Sequence, residues 1–128
     1  MISMKKVIVL IICIMFLVCG CGKKDKLEVV KISKTEAMEY IESGAILIDV
    51  RSTEEYEKEH IEGAINIDVE DILKINDLLE YENKNIDSNM SIIVYCRSGS
   101  RSANAADKLI ELGYTKVYDL GSIDNWSD

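Results

Sequence analysis

Hydrophobic positions along the chain form one long uncharged block at the start, followed by short apolar runs that alternate with amphipathic ones. The block, "VIVLIICIMFLVCGC", sits in a segment uncharged from Val7 to Gly22, behind the basic lead-in "MISMKK". It has no amphipathic period, which argues against a buried core helix. It also falls short of the ~20 apolar residues of a spanning helix and matches a secretory signal better, with an uncleaved anchor as the alternative. Beyond it, "LEVVKI" (27–32) predicts a short strand. "SKTEAMEYIESG" predicts a helix opened by a Ser33–Glu36 capping box and stopped near Gly44. "AILIDV" (45–50) is a run typical of a buried, parallel strand, and Ser52 with Glu55 repeats the capping box ahead of "TEEYEKEH". "GAINI" (63–67) predicts a strand, and "VEDILKINDLLEYE" (69–82) a helix with Ile72, Ile75, Leu78 and Leu79 at helical spacing. "SIIVY" (91–95) is the strongest strand, "SANAADKLIELG" (102–113) a helix closed by Gly113, and "TKVYDL" (115–120) the last strand. Strands alternating with helices call for an α/β fold, a mostly parallel central sheet with helices on both faces. Ligands of such sheets bind at the carboxyl ends of strands, where Cys96 falls.

Charge narrows the partners. The formal charge is −8, from 23 acidic and 15 basic residues, and removing residues 1–20 takes two lysines and no acid, leaving about −10. An acidic surface excludes nucleic acid, whose phosphates require basic patches. Only three of the basic residues are arginines, and two of those, Arg97 and Arg101, stand in "VYCRSGSRS" (94–102).

The apolar block ends Val18-Cys19-Gly20-Cys21, which resembles the lipobox of bacterial lipoproteins. That resemblance implies lipidation at Cys21, with Gly20 before it and Val18 three back, and attachment to the extracytoplasmic face of the cell membrane. The chain then divides into a signal peptide (1–20), a lipidated tether (21–26) and a domain (27–128). Of the four cysteines, Cys13 and Cys19 leave with the signal and Cys21 carries lipid. Cys96 remains alone, so neither an internal disulfide nor dithiol redox chemistry is available to the domain. One cysteine and one histidine do not supply a structural zinc site, and no metal or cofactor is expected.

A strand ending at Tyr95 and a helix from Ser102 leave Cys96–Arg101 to turn sharply, with Gly99 supplying the backbone freedom. Amide N–H groups of such a turn, and the first turn of the helix, offer unpaired donors and a positive dipole end. A sulfur seated there ionises below the ~8.5 of free cysteine. Arg97 and Arg101 add charge and Ser98 and Ser100 add hydroxyls, so the loop suits a nucleophilic sulfur meeting an anion. The competing reading makes Cys96 a buried small hydrophobe among aliphatic neighbours, and Arg97 a mere surface charge.

"CRSGSRS" resembles the active-site loop of rhodanese-type sulfurtransferases. "LIDVRSTEEYEKEHIEGAINI" (47–67) resembles the family's Asp-x-Arg…Glu-Tyr…His-Ile-x-Gly-Ala signature, and "AADKLIELGYTKVYDLGSIDNW" extends the likeness across 27–126. The resemblance implies a rhodanese-like fold. It also implies that Cys96 takes a sulfane sulfur as a persulfide from a small anionic donor such as thiosulfate and passes it to a thiol or cyanide-like acceptor. Arg97, Ser98, Gly99, Ser100 and Arg101 would bind the donor. Asp49 and Arg51 would brace the site as an ion pair, joined by Glu55, and His60 would hydrogen-bond at a helix end. Tyr56 and Trp126 would pack. The Cys-x4-Arg spacing makes a smaller cup than the Cys-x5-Arg of related phosphatases and arsenate reductases. Departures from the family pattern are Glu59 for Gly, Glu62 and Asp68 for Pro, and Gly121-Ser122 for Gly-Gly. Two rivals stay open: a non-catalytic binding module of the same fold, and a phosphatase or arsenate reductase. Protein partners are not legible.

Overall fold

The computed structural model of the chain describes residues 27–79, 81 and 85–127; the expected signal and tether, with Cys21, lie outside them. Five strands form one sheet: β1 (Val30–Lys31), β2 (Ile46–Asp49), β3 (Ile65–Asn66), β4 (Ser91–Cys96) and β5 (Lys116–Ser122). Their order is β1-β5-β4-β2-β3, and every neighbouring pair is parallel. Between them run helices α1 (Lys34–Glu42), α2 (Thr53–Lys58), α3 (Val69–Lys74) and α4 (Ser100–Glu111), with a 3-10 turn at Ile123–Trp126.

The central strand β4 explains the layering. Ile92, Val94 and Cys96 face one side, against Ile72 of α3 and Ala105, Ala106 and Leu109 of α4. Ile93 and Tyr95 face the other, against Ala37 and Tyr40 of α1 and Tyr56 of α2. Both faces are covered, so the strand reads as an unbroken apolar run rather than an alternating one. Both predicted capping boxes form, with Ser33 and Ser52 accepting from the amides of Glu36 and Glu55, and each glutamate reaching back to its cap.

Two elements are shorter than the sequence suggests. The helix expected over 69–82 ends at Lys74, and Ile75 turns to an extended φ of −82° and ψ of 157°. The Asp77 carboxylate accepts from the amide of Leu79 at 2.8 Å, a local bond that offers the backbone an alternative to the helix. Leu78 is fully buried and Ile75 packs at the core's margin, while Leu79 is exposed. The apolar spacing therefore marked core positions without a helix to carry them all; residues 80 and 82 of that stretch lie outside the described residues. The first strand, expected over 27–32, pairs only at Val30 and Lys31, with Leu27 and Val30 exposed. A short edge strand limits the unpaired backbone it presents.

β2 and β4 pair in register from Ile46↔Ile92 to Asp49↔Tyr95, and the amide of Val50 continues the ladder onto the Tyr95 carbonyl at 3.0 Å. The carboxyl ends of both strands thus emerge side by side, which brings the Asp49–Arg51 segment next to Cys96. Truncating Ile92 to alanine in the middle of this sheet is expected to cost ~2–5 kcal/mol. Urea unfolding of the variant checks it; a loss below about 1 kcal/mol contradicts a close-packed site.

Candidate active site

Cys96 is the last residue of β4 and has no surface open to solvent. It belongs to the same apolar cluster as Val94, Ala105 and Ala106, which is part of what the competing small-hydrophobe reading required. The polar side of the sulfur differs. The amide of Gly99 donates to Sγ at 3.0 Å. Burial pushes the Cys96 thiol up, but the Ser102 hydroxyl and the amides of Ser102, Gly99 and Ser98 outweigh it, and the net shift is downward. A buried cysteine whose hydrogen-bond donors outweigh its burial favours the thiolate more than an apolar pocket would.

Local backbone makes this possible. Gly99 is the residue before α4 and sits at φ 100°, ψ −13°, a conformation that side chains disfavour. No side chain caps α4, so the free amides of its first turn are left for the sulfur. The turn is tighter than expected: the helix starts at Ser100, which puts Arg101 and Ser102 in its first turn. Ser102 is fully buried, whereas Ser98 and Ser100 are exposed. The expected roles of the serines are thereby redistributed, with Ser98 bringing only its amide to the sulfur and Ser102 bringing a hydroxyl. That hydroxyl has one proton and two acceptors, the Gly99 carbonyl at 3.1 Å and the sulfur. Ionisation of the thiol favours the second.

Asp49 and Arg51 form the expected ion pair, fully and nearly fully buried, with Arg51 Nη2 at 2.7 Å from Asp49 Oδ2 and 2.6 Å from the Glu59 carbonyl. Glu55 does not join it. The Glu55 carboxylate takes Arg101 instead, at 2.6 Å from Nη1 and 3.0 Å from Nη2. That bidentate contact, forty-six positions apart in sequence, ties α2 to the first turn of α4. Hydrogen bonding from Arg101 holds the Glu55 carboxyl down at about 2, against burial that pushes it up. Arg97 is exposed, and no carboxylate among the described residues pairs with it. His60 Nδ1 lies 2.7 Å from the Tyr56 carbonyl, with its ring stacked on Tyr56. Tyr56 donates to the Ala64 carbonyl and Trp126 lies under Lys34.

Sequence reading also missed Ser122. β5 carries an irregularity opposite Val94/Tyr95, where Asp119 faces Val94 but Gly121 faces Tyr95. The resulting bulge, with Gly121 at φ 79°, sets Ser122 beside Cys96, where its hydroxyl donates to the Arg97 carbonyl at 2.6 Å. Only the register reveals it, though a serine replacing the family's second glycine was the available signal.

Two titrations test the electrostatics. Thiolate absorbance of the native domain is expected to rise at a pH below that of free cysteine, and Ser102→Ala to shift the rise upward; an unmoved midpoint removes the hydroxyl from the account. Glu55 is lowered in the fold, so its pair with Arg101 adds stability that is complete above the ordinary carboxyl value of 4.5 and fades as pH falls through about 2. Glu55→Gln should flatten the acid side of the stability profile in that window, with wild type and variant converging at its lower end.

Comparison with known proteins agrees with this geometry. Residues 33–128 match the model of the rhodanese-like domain. The thiosulfate sulfurtransferase GlpE of Coxiella burnetii is 37% identical over 98 residues, covering 75% of this chain and 85% of that protein. Among solved structures, a human single-domain sulfurtransferase, TSTD1, is 28% identical with a TM-score of 0.63, covering 77% of this chain and 93% of its own. A rhodanese with anions from E. coli is 33% identical with a TM-score of 0.56, covering 66% and 93%. The fold, the matched model and these relatives lead to one conclusion: the chain belongs to the rhodanese-like domain family and is a sulfurtransferase of the rhodanese type.

Proposed function

We propose that the domain carries sulfane sulfur on Cys96 from a small anionic donor to a thiol or cyanide-like acceptor. The observation that supports it most is the Gly99 amide on Sγ at 3.0 Å, within a set of donors that lowers the thiol. With thiosulfate, the class of donor named for the Coxiella relative, the Cys96 thiolate attacks the outer sulfur. The new Sγ–S bond forms as the S–S bond of the donor breaks, and sulfite leaves with the electron pair. A thiolate acceptor then attacks the terminal sulfur of the persulfide and Cys96 leaves as thiolate again. The loop amides hold Sγ through both steps, and fixed dipoles need no reorganisation as charge moves. Arg97 assists the donor's charge, Arg101 is engaged by Glu55 and contributes less, and Asp49, Arg51 and His60 hold the neighbouring segment. The chemistry requires no metal or organic cofactor, since the sulfur rides on the protein. The Cys-x4-Arg span disfavours the phosphatase and arsenate reductase readings.

The chain is further proposed to work on the extracytoplasmic face of the cell membrane, held by lipid on Cys21. The basic lead-in, the apolar block and the Gly20-Cys21 junction support this.

A binding module without turnover is the second reading, and the absence of open surface at Cys96 favours it. Thiosulfate and cyanide separate the two. Wild-type domain is expected to form thiocyanate, with a persulfide on Cys96 seen by mass spectrometry, and Cys96→Ser to form neither. No persulfide with any sulfane donor selects the binding module. Cells fed labelled palmitate should label the wild-type chain and lose the label in Cys21→Ala; label that persists moves the anchor elsewhere.

A further inference from the structure

The chain has three arginines, and the structure uses two of them against its own carboxylates. Arg51 is closed on Asp49. Arg101, in the first turn of the helix that follows the sulfur, is gripped by both oxygens of Glu55. Glu55 is free to do this because α2 begins at a capping box that fixes its side chain, with Oε1 also accepting from the Ser52 hydroxyl at 3.1 Å. On the opposite flank a cavity of about 490 Å³ reaches the loop at Ser98 and Gly99, and its one lysine, Lys31, shares it with Asp119. Only Arg97 remains at the loop without an opposing carboxylate among the described residues.

This charge balance bears on the donor. Attack by Cys96 thiolate on thiosulfate gathers three negative charges at the loop, one from the thiolate and two from the donor. Attack on an organic persulfide gathers fewer: the thiolate takes the terminal sulfur of R–S–SH, the Sγ–S bond forms, the S–S bond of the persulfide breaks, and RS⁻ departs with the pair. Total charge is then −1, or −2 when the persulfide itself is ionised. Like charges brought together in a partly dry site raise the barrier steeply, and each extra charge adds to it.

We propose that Glu55 is a specificity-determining residue that sets donor charge: by neutralising Arg101 it biases the site toward singly charged organic persulfides and against the thiosulfate dianion. The inference rests on the sulfurtransferase reading above and refines its donor. Glu55 acts through Arg101 and the field at the loop, so it is a positioning residue. Its ionised state persists at every pH at which the domain would work, because its carboxyl is held at about 2. The preference is therefore built in rather than switched.

Glu55→Gln tests it, because glutamine suits the capping box, removes the charge and turns one of the two acceptors for Arg101 into a donor. Rates of Cys96 persulfide formation are measured with thiosulfate and with the persulfide of 2-mercaptoethanol. The ratio of kcat/KM for thiosulfate to that for the organic persulfide is expected to rise about tenfold in Glu55→Gln, mainly through a lower KM for thiosulfate. Glu55→Asp, which keeps the charge, should return the ratio toward wild type. A ratio that rises less than fivefold in Glu55→Gln, or as much in Glu55→Asp as in Glu55→Gln, overturns the inference and leaves sulfur transfer standing. Failure of the wild-type domain to form a persulfide with either donor overturns the sulfurtransferase reading itself.

Discussion

A buried sulfur that must be anionic depends on donors already in place before the charge forms. Burial alone drives the Cys96 thiol toward its neutral form, and four donors from three residues of the loop and the first turn of the helix, Ser98, Gly99 and Ser102, reverse that. None of them needs a long side chain. Three are backbone amides and the fourth is the short, fully buried hydroxyl of Ser102. Such groups lose little freedom on ordering, and they stay aimed at the sulfur whether or not a donor is present. The uncapped start of α4 follows from this. A side-chain cap of the usual kind would satisfy the amides the sulfur needs, and Gly99 in the left-handed region turns the chain without supplying one.

Both neighbouring strands hold that turn in position. On the β2 side, Arg51 is pinned by Asp49 and the Glu59 carbonyl and lies over the ring of Tyr95, the residue before Cys96. Tyr95 in turn accepts from the amide of Ile61, and Asn66 bonds the carbonyls of Asp49 and Arg51. On the β5 side, the bulge at Gly121 delivers Ser122 to the Arg97 carbonyl. The two sequence segments that resembled the family are thus one mechanical unit. The Asp-x-Arg segment does not reach the sulfur; it fixes the strand end from which the cysteine loop departs. Breaking a buried ion pair by removing one partner leaves an uncompensated charge, so this frame tolerates little change.

Much of this was legible in the chain because it obeys local rules. Two capping boxes, the apolar run of β4 and the glycine in the loop each depend on residues a few positions apart. What escaped depends on tertiary placement. Helical spacing from Ile72 to Leu79 could not show that the Asp77 side chain would end the regular backbone first. Glu55 was expected beside Arg51, its near neighbour, yet it meets Arg101 across forty-six positions. Among four serines after Cys96 within the motif and the last strand, composition could not tell that Ser102 would be buried and half-buried Ser122 would bond the Arg97 carbonyl while Ser98 stays at the surface. Full burial of the cysteine was equally invisible, since it follows from where α4 lies on the sheet.

The same economy of charge accounts for how an acidic protein can manage anionic chemistry. A formal charge of −8 repels a small anion at long range, but exposed charges are screened beyond ~8 Å at physiological ionic strength. Main-chain dipoles act inside that distance and are indifferent to the rest of the surface. A site built on arginines would have to expose them to the surrounding carboxylates, and here two of the three are indeed captured by such groups. Amides escape this capture because the helix and the turn hold them toward the sulfur. Backbone geometry therefore sets the electrostatics at the sulfur, and only Arg97 is left at the loop without a carboxylate partner among the described residues.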